Sequence, residues 1–159
     1  YAASKGAGAW EFAHCDQSAA PMRIIASIYD PDSPLRFCES AEKAHSNRGD
    51  SGRIIDNIGI EGDPSRLDSQ CKYSLVARGQ ADGYLRLPTS KAYVEKIWDH
   101  AAGLCIAQEA GAIVSDVTGK PLDFTHGARL EENRGVICAI DGLHQRIIAT
   151  IDELAIAQP

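Results

Sequence analysis

The stretch Glu95-Lys96-Ile97-Trp98-Asp99-His100-Ala101-Ala102-Gly103 sets a carboxylate at the expected start of a helix, with small residues directly behind it. A helix start offers unpaired N–H groups and a partial positive charge, and small side chains let that end come close to a ligand, so the stretch suits a phosphate. Asp99 beside a phosphate is a candidate ligand for Mg²⁺, which shares its oxygen coordination between carboxylates and substrate phosphates. Ser69 and Lys72 stand three residues apart at the start of a second expected helix, on one face. A hydroxyl, an ammonium and free helix N–H groups together make a phosphate cradle. Arg86, in the strand-like Tyr84-Leu85-Arg86-Leu87, adds a guanidinium fork. Taken singly, each residue has a plainer reading: Asp99 and Ser69 as helix N-caps, Lys72 as a solvated side chain, Arg86 as a surface strand residue.

The elements that must carry these groups alternate in type. Residues 23–29 (RIIASIY) are β-branched and apolar and read as a strand, ended by Asp30-Pro31-Asp32-Ser33-Pro34. Residues 35–38 read as a short strand, 39–50 as a polar loop leading into a helix, and 54–60 fit either type. A helix is expected over 70–78, capped from Asp68-Ser69 and ending near Gly79, then a strand over 84–87 stopped by Pro88. Asp99 opens a helix to Ala110 with Gly111 as its stop, followed by strands at 113–116 and 135–140. The last helix starts near Asp141 and carries the stripe Leu143, Ile147, Ile148, Ile151 and Leu154. Helix and strand in alternation imply a layered α/β domain. The first thirty residues, strand-rich and without a helix, read as part of a different sheet.

A chain of 159 residues, 44% hydrophobic and 24% charged, has the composition of one globular domain. Its formal charge of −6 argues against nucleic acid or membrane surfaces as partners, both being anionic, yet leaves room for a small anion in a locally cationic site. The five cysteines form no C-x-x-C pair and no zinc signature, and the apolar neighbours of Cys105 and Cys138 read as buried, reduced thiols in a cytoplasmic protein. No apolar run is long enough to span a bilayer. His14, His100, His126 and His144 show no partner pattern, so solvent exposure or local hydrogen bonding is their expected role. Trp98 reads as a packing residue that holds the Asp99 backbone.

Trp98-Asp99-x-Ala101-Ala102-Gly103 resembles the C-terminal signature of the inositol monophosphatase superfamily, and Glu95 to Gly103 resembles its bisphosphate nucleotidase branch of fungi and plants. Further segments match in order: Glu42-Lys43-Ala44-His45-Ser46, Leu67-Asp68-Ser69-Gln70-x-Lys72-Tyr73, Tyr84-Leu85-Arg86-Leu87-Pro88, Gln108-Glu109-Ala110-Gly111 and Pro121-Leu122-Asp123-Phe124. The resemblance implies a magnesium-dependent hydrolysis of adenosine 3',5'-bisphosphate, and of its sulfated form, to AMP and phosphate. It gives Asp99 the role of metal ligand and substrate contact, and makes His45, Ser69, Lys72 and Arg86 substrate contacts. It implies a sandwich fold in which residues 1–34 are strands of an N-terminal metal-site domain and 35–159 the C-terminal α/β nucleotide-binding domain. The family's D-P-[IV]-D-G-T motif and its preceding Glu-Glu pair are absent, and the chain opens at Tyr1, so it resembles a member without its N-terminal half. That half is then the expected partner, and the chain by itself is expected to be inactive. Two other functions remain open, an inositol monophosphatase and a non-catalytic nucleotide-binding module.

Overall fold

The computed structural model describes residues 1–13, 18–42, 47–90 and 92–156. Three short strands, β1 (Ala2–Ser4), β2 (Gly8–Glu11) and β3 (Met22–Ile24), pair antiparallel in that order. β2 begins at Gly8, whose partner region on β3 ends at Ile24, so no neighbour is left for the residues that follow. The backbone turns away there, and the Ala26 N–H donates to the Ala110 carbonyl at 2.8 Å. The strand expected over 23–29 is therefore realised only in its first part, and Ile25 and Ile28 lie exposed beyond it.

The larger sheet holds β4 (Phe37–Ser40), β5 (Ser65–Leu67), β6 (Gly83–Arg86), β7 (Ile113–Ser115) and β8 (Val136–Ala139) in the order β5-β4-β6-β8-β7. β4 runs parallel to β5 and β6, while β8 runs antiparallel to β6 and β7. Among the described residues four α-helices accompany it: α1 (Arg48–Ile58), α2 (Cys71–Ala77), α3 (Ala101–Glu109) and α4 (Leu143–Glu153). From β4 the chain crosses through α1 to β5 on one side, then returns through α2 to β6 on the other. Right-handed crossovers in opposite directions put α1 and α2 on opposite faces. The packing agrees, with α1 against α4 and α2 against α3. The layered α/β architecture is the one expected.

α1 forms where the sequence reads as loop and an ambiguous run. Asn47 caps it by accepting the Asp50 N–H at 3.2 Å, and Gly59 ends it at φ +77°. In α4, Leu143, Ile147 and Ile151 are buried, with Ile148 and Leu154 packed at the margin. β6 and β8 are buried along their whole length, which suits central strands. Cys38 and Cys138 are buried free thiols, Cys105 is half-buried and Cys71 is exposed. No helix among the described residues is long and apolar enough to cross a membrane.

His144 is buried on α4, with Nε2 2.7 Å from Ser115 Oγ on β7. Burial holds its imidazole below the ordinary value of 6.5, with the Asp141 carboxylate pulling weakly the other way. Folding therefore favours the neutral ring. Above pH 6.5 the ring is neutral folded and unfolded, and the burial carries no penalty. Below it the unfolded chain takes up the proton first, so stability falls with pH, by at most about 1.4 kcal/mol per pH unit from one group. Urea midpoints at pH 5.5 and 7.5 should differ in this sense for the wild type and differ less for His144→Gln. An equal acid loss in both proteins would remove His144 as the cause.

Candidate functional site

The crossover from β4 to β5 and the crossover from β5 to β6 move in opposite directions along the sheet, which opens a crevice at the carboxyl ends of these parallel strands, the usual ligand position in such sheets. β5 runs into Ser69 and α2, β6 ends at Arg86, and a 3₁₀ turn (Ile97–Asp99) delivers Asp99 just before α3. A cleft of about 540 Å³ lies at this edge, with Ser69, Lys72, Arg86, Trp98, Asp99 and Gly103 in its wall. Four of the five residues singled out in sequence thus meet in one cleft. The fifth, His45, falls outside the described residues, in the segment that follows β4.

Ser69 and Lys72 take forms that the sequence does not show. Ser69 sits at φ +65°, a conformation that strains a residue bearing a Cβ by about 1–2 kcal/mol. Its Oγ accepts the Cys71 N–H at 3.2 Å, while Gln70 takes the position ahead of the helix, so the expected N-cap at 68–69 is displaced by one residue. Lys72 is buried, not solvated. Its ammonium donates to the Ser69 carbonyl at 2.7 Å and more weakly to that of Leu67 at 3.4 Å, and lies 5.4 Å from the centre of the Tyr84 ring. An ammonium has three donors, so one remains for a ligand. Burial, and secondarily the Arg86 charge, lowers its pKa from the usual lysine value.

Asp99 is not the helix start. The bonds Asp99 N–H to Lys96 O and His100 N–H to Ile97 O, both 3.1 Å, close a 3₁₀ turn, and α3 begins only at Ala101. The Asp99 carboxylate is left on the cleft wall, 39% exposed, with Oδ2 4.0 Å from Arg86 Nη2. Behind Arg86 lies Glu95, buried, its Oε2 2.8 Å from Arg86 Nε and 2.9 Å from His100 Nε2. Arg86 Nη2 also donates to the Tyr93 hydroxyl at 3.1 Å. Burial works against the Arg86 charge, but the Glu95 carboxylate outweighs it and raises the guanidinium pKa further. Asp99 offers one hard oxygen ligand of the kind Mg²⁺ takes. The described residues contain no group of three His, Cys, Asp or Glu side chains that could complete such a site.

The two helix starts are pressed together. A Cβ on Gly103 would stand 2.3 Å from Tyr73 Cδ2, so only glycine admits the Tyr73 ring at this place. Gln70 bridges the same gap, its Nε2 donating to Trp98 O and its Oε1 accepting the Gly103 N–H, both at 2.6 Å. The indole of Trp98, expected to pack inside, is 61% exposed on the cleft; its carbonyl is the part held in place.

The sequence profile of the inositol monophosphatase family matches residues 1–155. The chain belongs to the inositol monophosphatase family. It is 40% identical over 141 residues to a 3'(2'),5'-bisphosphate nucleotidase of Schizosaccharomyces pombe, covering 89% of this chain and 40% of that protein. Proteins of the same name from Emericella nidulans (41% over 155 residues) and Oryza sativa (39% over 155 residues) match 97% and 96% of this chain and 44% and 42% of their own length. The chain thus spans about two fifths of the length of these curated relatives. Among solved structures, Mycobacterium tuberculosis SuhB matches with TM-score 0.66 at 20% identity, over 98% of this chain and 55% of that one. Thermotoga maritima IMPase matches at 0.59 and 21%, over 96% and 51%. At these identities the likeness is one of fold.

In this family member, sequence reasoning gave no role to Gln70, Tyr73, Glu95 or His100. Each lies inside a quoted motif, yet its partner is 5 to 33 residues away, and no spacing reveals such contacts. For His100 the expectation was solvent exposure or local hydrogen bonding; the ring is instead fully buried, bonded to Glu95 nearby and to Tyr73, 27 residues away. Gly103→Ala should lower stability by about 1–3 kcal/mol through overpacking against Tyr73, a fall of several degrees in Tm. Thermal unfolding checks this. An unchanged Tm would mean that α2 and α3 separate freely.

Proposed function

We propose that this chain forms the nucleotide-holding part of a magnesium-dependent 3'(2'),5'-bisphosphate nucleotidase, which removes one phosphate from adenosine 3',5'-bisphosphate. The observation that carries this is the run of relatives from fungi and a plant, all bearing that name and matching nearly the whole chain. The cleft supports it: Lys72 and Arg86, two cations beside the strained Ser69 turn, suit a phosphorylated ligand better than a neutral sugar. The inositol monophosphatase reading draws on the family profile, which names the family as a whole, and on structural neighbours near 20% identity, which speak for the fold.

On this reading Lys72 and Arg86 bind phosphate oxygens, Ser69 lends its hydroxyl, His45 contacts the nucleotide, and Asp99 holds magnesium against the phosphate to be removed. Bound magnesium supplies charge neutralisation and an acidified water. Lys72 acts as a point charge and Arg86 as a planar fork, so the first sets affinity and the second also orients the phosphate. Residues 1–34 would belong with the domain that gathers the remaining metal ligands. With Asp99 as the single cleft carboxylate offered to the ion among the described residues, the 159-residue chain by itself should bind Mg²⁺ weakly and turn over poorly.

Two measurements test this. In the longest natural polypeptide that carries the chain, Lys72→Ala should raise KM for adenosine 3',5'-bisphosphate about tenfold or more, from one lost charge-assisted contact, and leave KM for a phosphorylated inositol much less changed. Equal effects on both substrates would count against a nucleotide site. The isolated chain, assayed for phosphate release beside that polypeptide, should be slower by far more than tenfold. Turnover within about tenfold, some 1.4 kcal/mol in barrier, would show that Asp99 needs no further carboxylates.

A further inference from the structure

We propose that Glu95 is a positioning residue of the cleft: it fixes the plane of the Arg86 guanidinium, and is itself fixed from behind by His100 and Tyr73. The proposal rests on the reading of the cleft as a nucleotide site. The first ground is the completeness of the contact chain. Glu95 Oε2 meets Arg86 Nε at 2.8 Å and His100 Nε2 at 2.9 Å, and His100 Nδ1 lies 2.7 Å from the Tyr73 hydroxyl. An ionised carboxylate can only accept, so His100 Nε2 carries the hydrogen toward Glu95, and in that neutral tautomer Nδ1 accepts from the Tyr73 hydroxyl. Glu95, His100 and Tyr73 are all buried.

The second ground is that stability gives no reason for such a pair. Burying two charges costs roughly as much as their attraction returns, and apolar side chains of similar volume would fill the space as well. A carboxylate contributes direction instead. The Arg86 Nε–H is out of line with Glu95 Oε2, so the contact is an ion pair more than an aligned hydrogen bond. Tyr93 then holds Nη2 at 3.1 Å, and two restraints on different nitrogens define the guanidinium plane. Glu95 also offsets the repulsion between Arg86 and Lys72, which share the cleft wall. The carboxylate sits on firm backbone: its carbonyl accepts the Leu130 N–H at 2.9 Å, and the next residue, Lys96, bridges to Arg129. The far end of the path is equally firm, because Tyr73 is wedged at Gly103. The aim of Arg86 is thereby tied to the α2–α3 contact.

The test has an arm without ligand and an arm with it. Arginine side-chain ¹⁵N spectra of the ligand-free chain should show separately resolved Arg86 Nη signals from a guanidinium held still. In Glu95→Gln these should merge as the group rotates, while thermal unfolding stays cooperative. Affinity for adenosine 3',5'-bisphosphate should fall about five- to tenfold in Glu95→Gln, within the usual coupling range of contacting residues. In the Arg86→Ala background the same change should cost nothing further, because Glu95 acts through Arg86. Should Glu95→Gln fail to fold, Glu95→Asp keeps the charge but withdraws it, and should broaden the Arg86 signals and weaken binding about two- to threefold. Unchanged Arg86 signals in the folded variant, or an equal loss with and without Arg86, would overturn the proposal. Absence of nucleotide binding by the wild type would instead overturn the reading of the cleft, and the ligand-free spectra would still decide the role of Glu95.

Discussion

Residue 103 has no room for a side chain, because the Tyr73 ring occupies the space where one would begin. Much of the site follows from this approach. With Tyr73 wedged at Gly103, the first turns of α2 and α3 lie side by side, and Gln70 can span from one to the other through two bonds of 2.6 Å. Residues from the β5–α2 connection and from the turn before α3, thirty positions apart in sequence, then share one cleft wall. A larger residue at 103 would push α3 away, break the Gln70 bridge and separate Asp99 from Ser69 and Lys72. Gly103 therefore serves the packing of two helices, and only through it the approach to a ligand, while Ala101 and Ala102 stay exposed and Ala102 lines the cleft.

The cleft carries a charge pattern opposite to that of the molecule. The chain has a formal charge of −6, yet Lys72 and Arg86 are both buried in this wall. Exposed charges more than about 10 Å away are largely screened by physiological salt. The local pair therefore decides what the cleft attracts. Each cation is kept charged by a different means. Lys72 is held by backbone carbonyls and the face of Tyr84, which supply electron density without a full negative charge. Arg86 is held by a full carboxylate at its back and faces a second, Asp99, at 4.0 Å. The wall thus offers one strong point charge and one oriented fork beside an exposed carboxylate, an arrangement suited to an anion that arrives with its own cation.

What the sequence made legible follows the range of the contacts. Ser69, Lys72, Arg86 and Asp99 were drawn together by the ordered motifs that resemble the family, and spacing added only that Ser69 and Lys72 share the start of one helix. α4 was readable from its apolar stripe. α1 was not, since glycine, serine and arginine fill its first turns and its stability comes from the Asn47 cap, the Gly59 stop and packing on α4. The extent of β3 was overestimated, because a β-branched run signals strand propensity while strand length depends on the neighbour, and β2 begins too late to pair with it. Asp99 read as a helix start, but the chain takes a 3₁₀ turn before α3, a distinction of one hydrogen-bond step that propensity does not resolve. Nothing in spacing could have joined Tyr73, His100, Glu95 and Arg86, whose contacts are fixed by side chains packed in three dimensions.

α3 links this site to the other sheet. Nine residues at about 1.5 Å each make a rod of roughly 14 Å. Its first turn carries Gly103 and the cleft wall; its last residue, Glu109, accepts the Gly6 N–H at 2.8 Å and the Gly8 N–H at 2.9 Å from the β1–β2 hairpin. A carboxylate at a helix C-terminus opposes the helix dipole. These two backbone bonds stabilise its charge, and they lower its pKa from the ordinary value. The hairpin so anchored brings Tyr1 to the cleft wall, where its hydroxyl accepts from Arg78 at 2.6 Å and donates to Glu11 at 3.1 Å. The position of the small sheet and the width of the cleft are thus coupled through one short helix. A shift of the β1–β2 hairpin along α3 would move Tyr1 relative to Gly103, and the cleft would change shape without any change in the residues that line it.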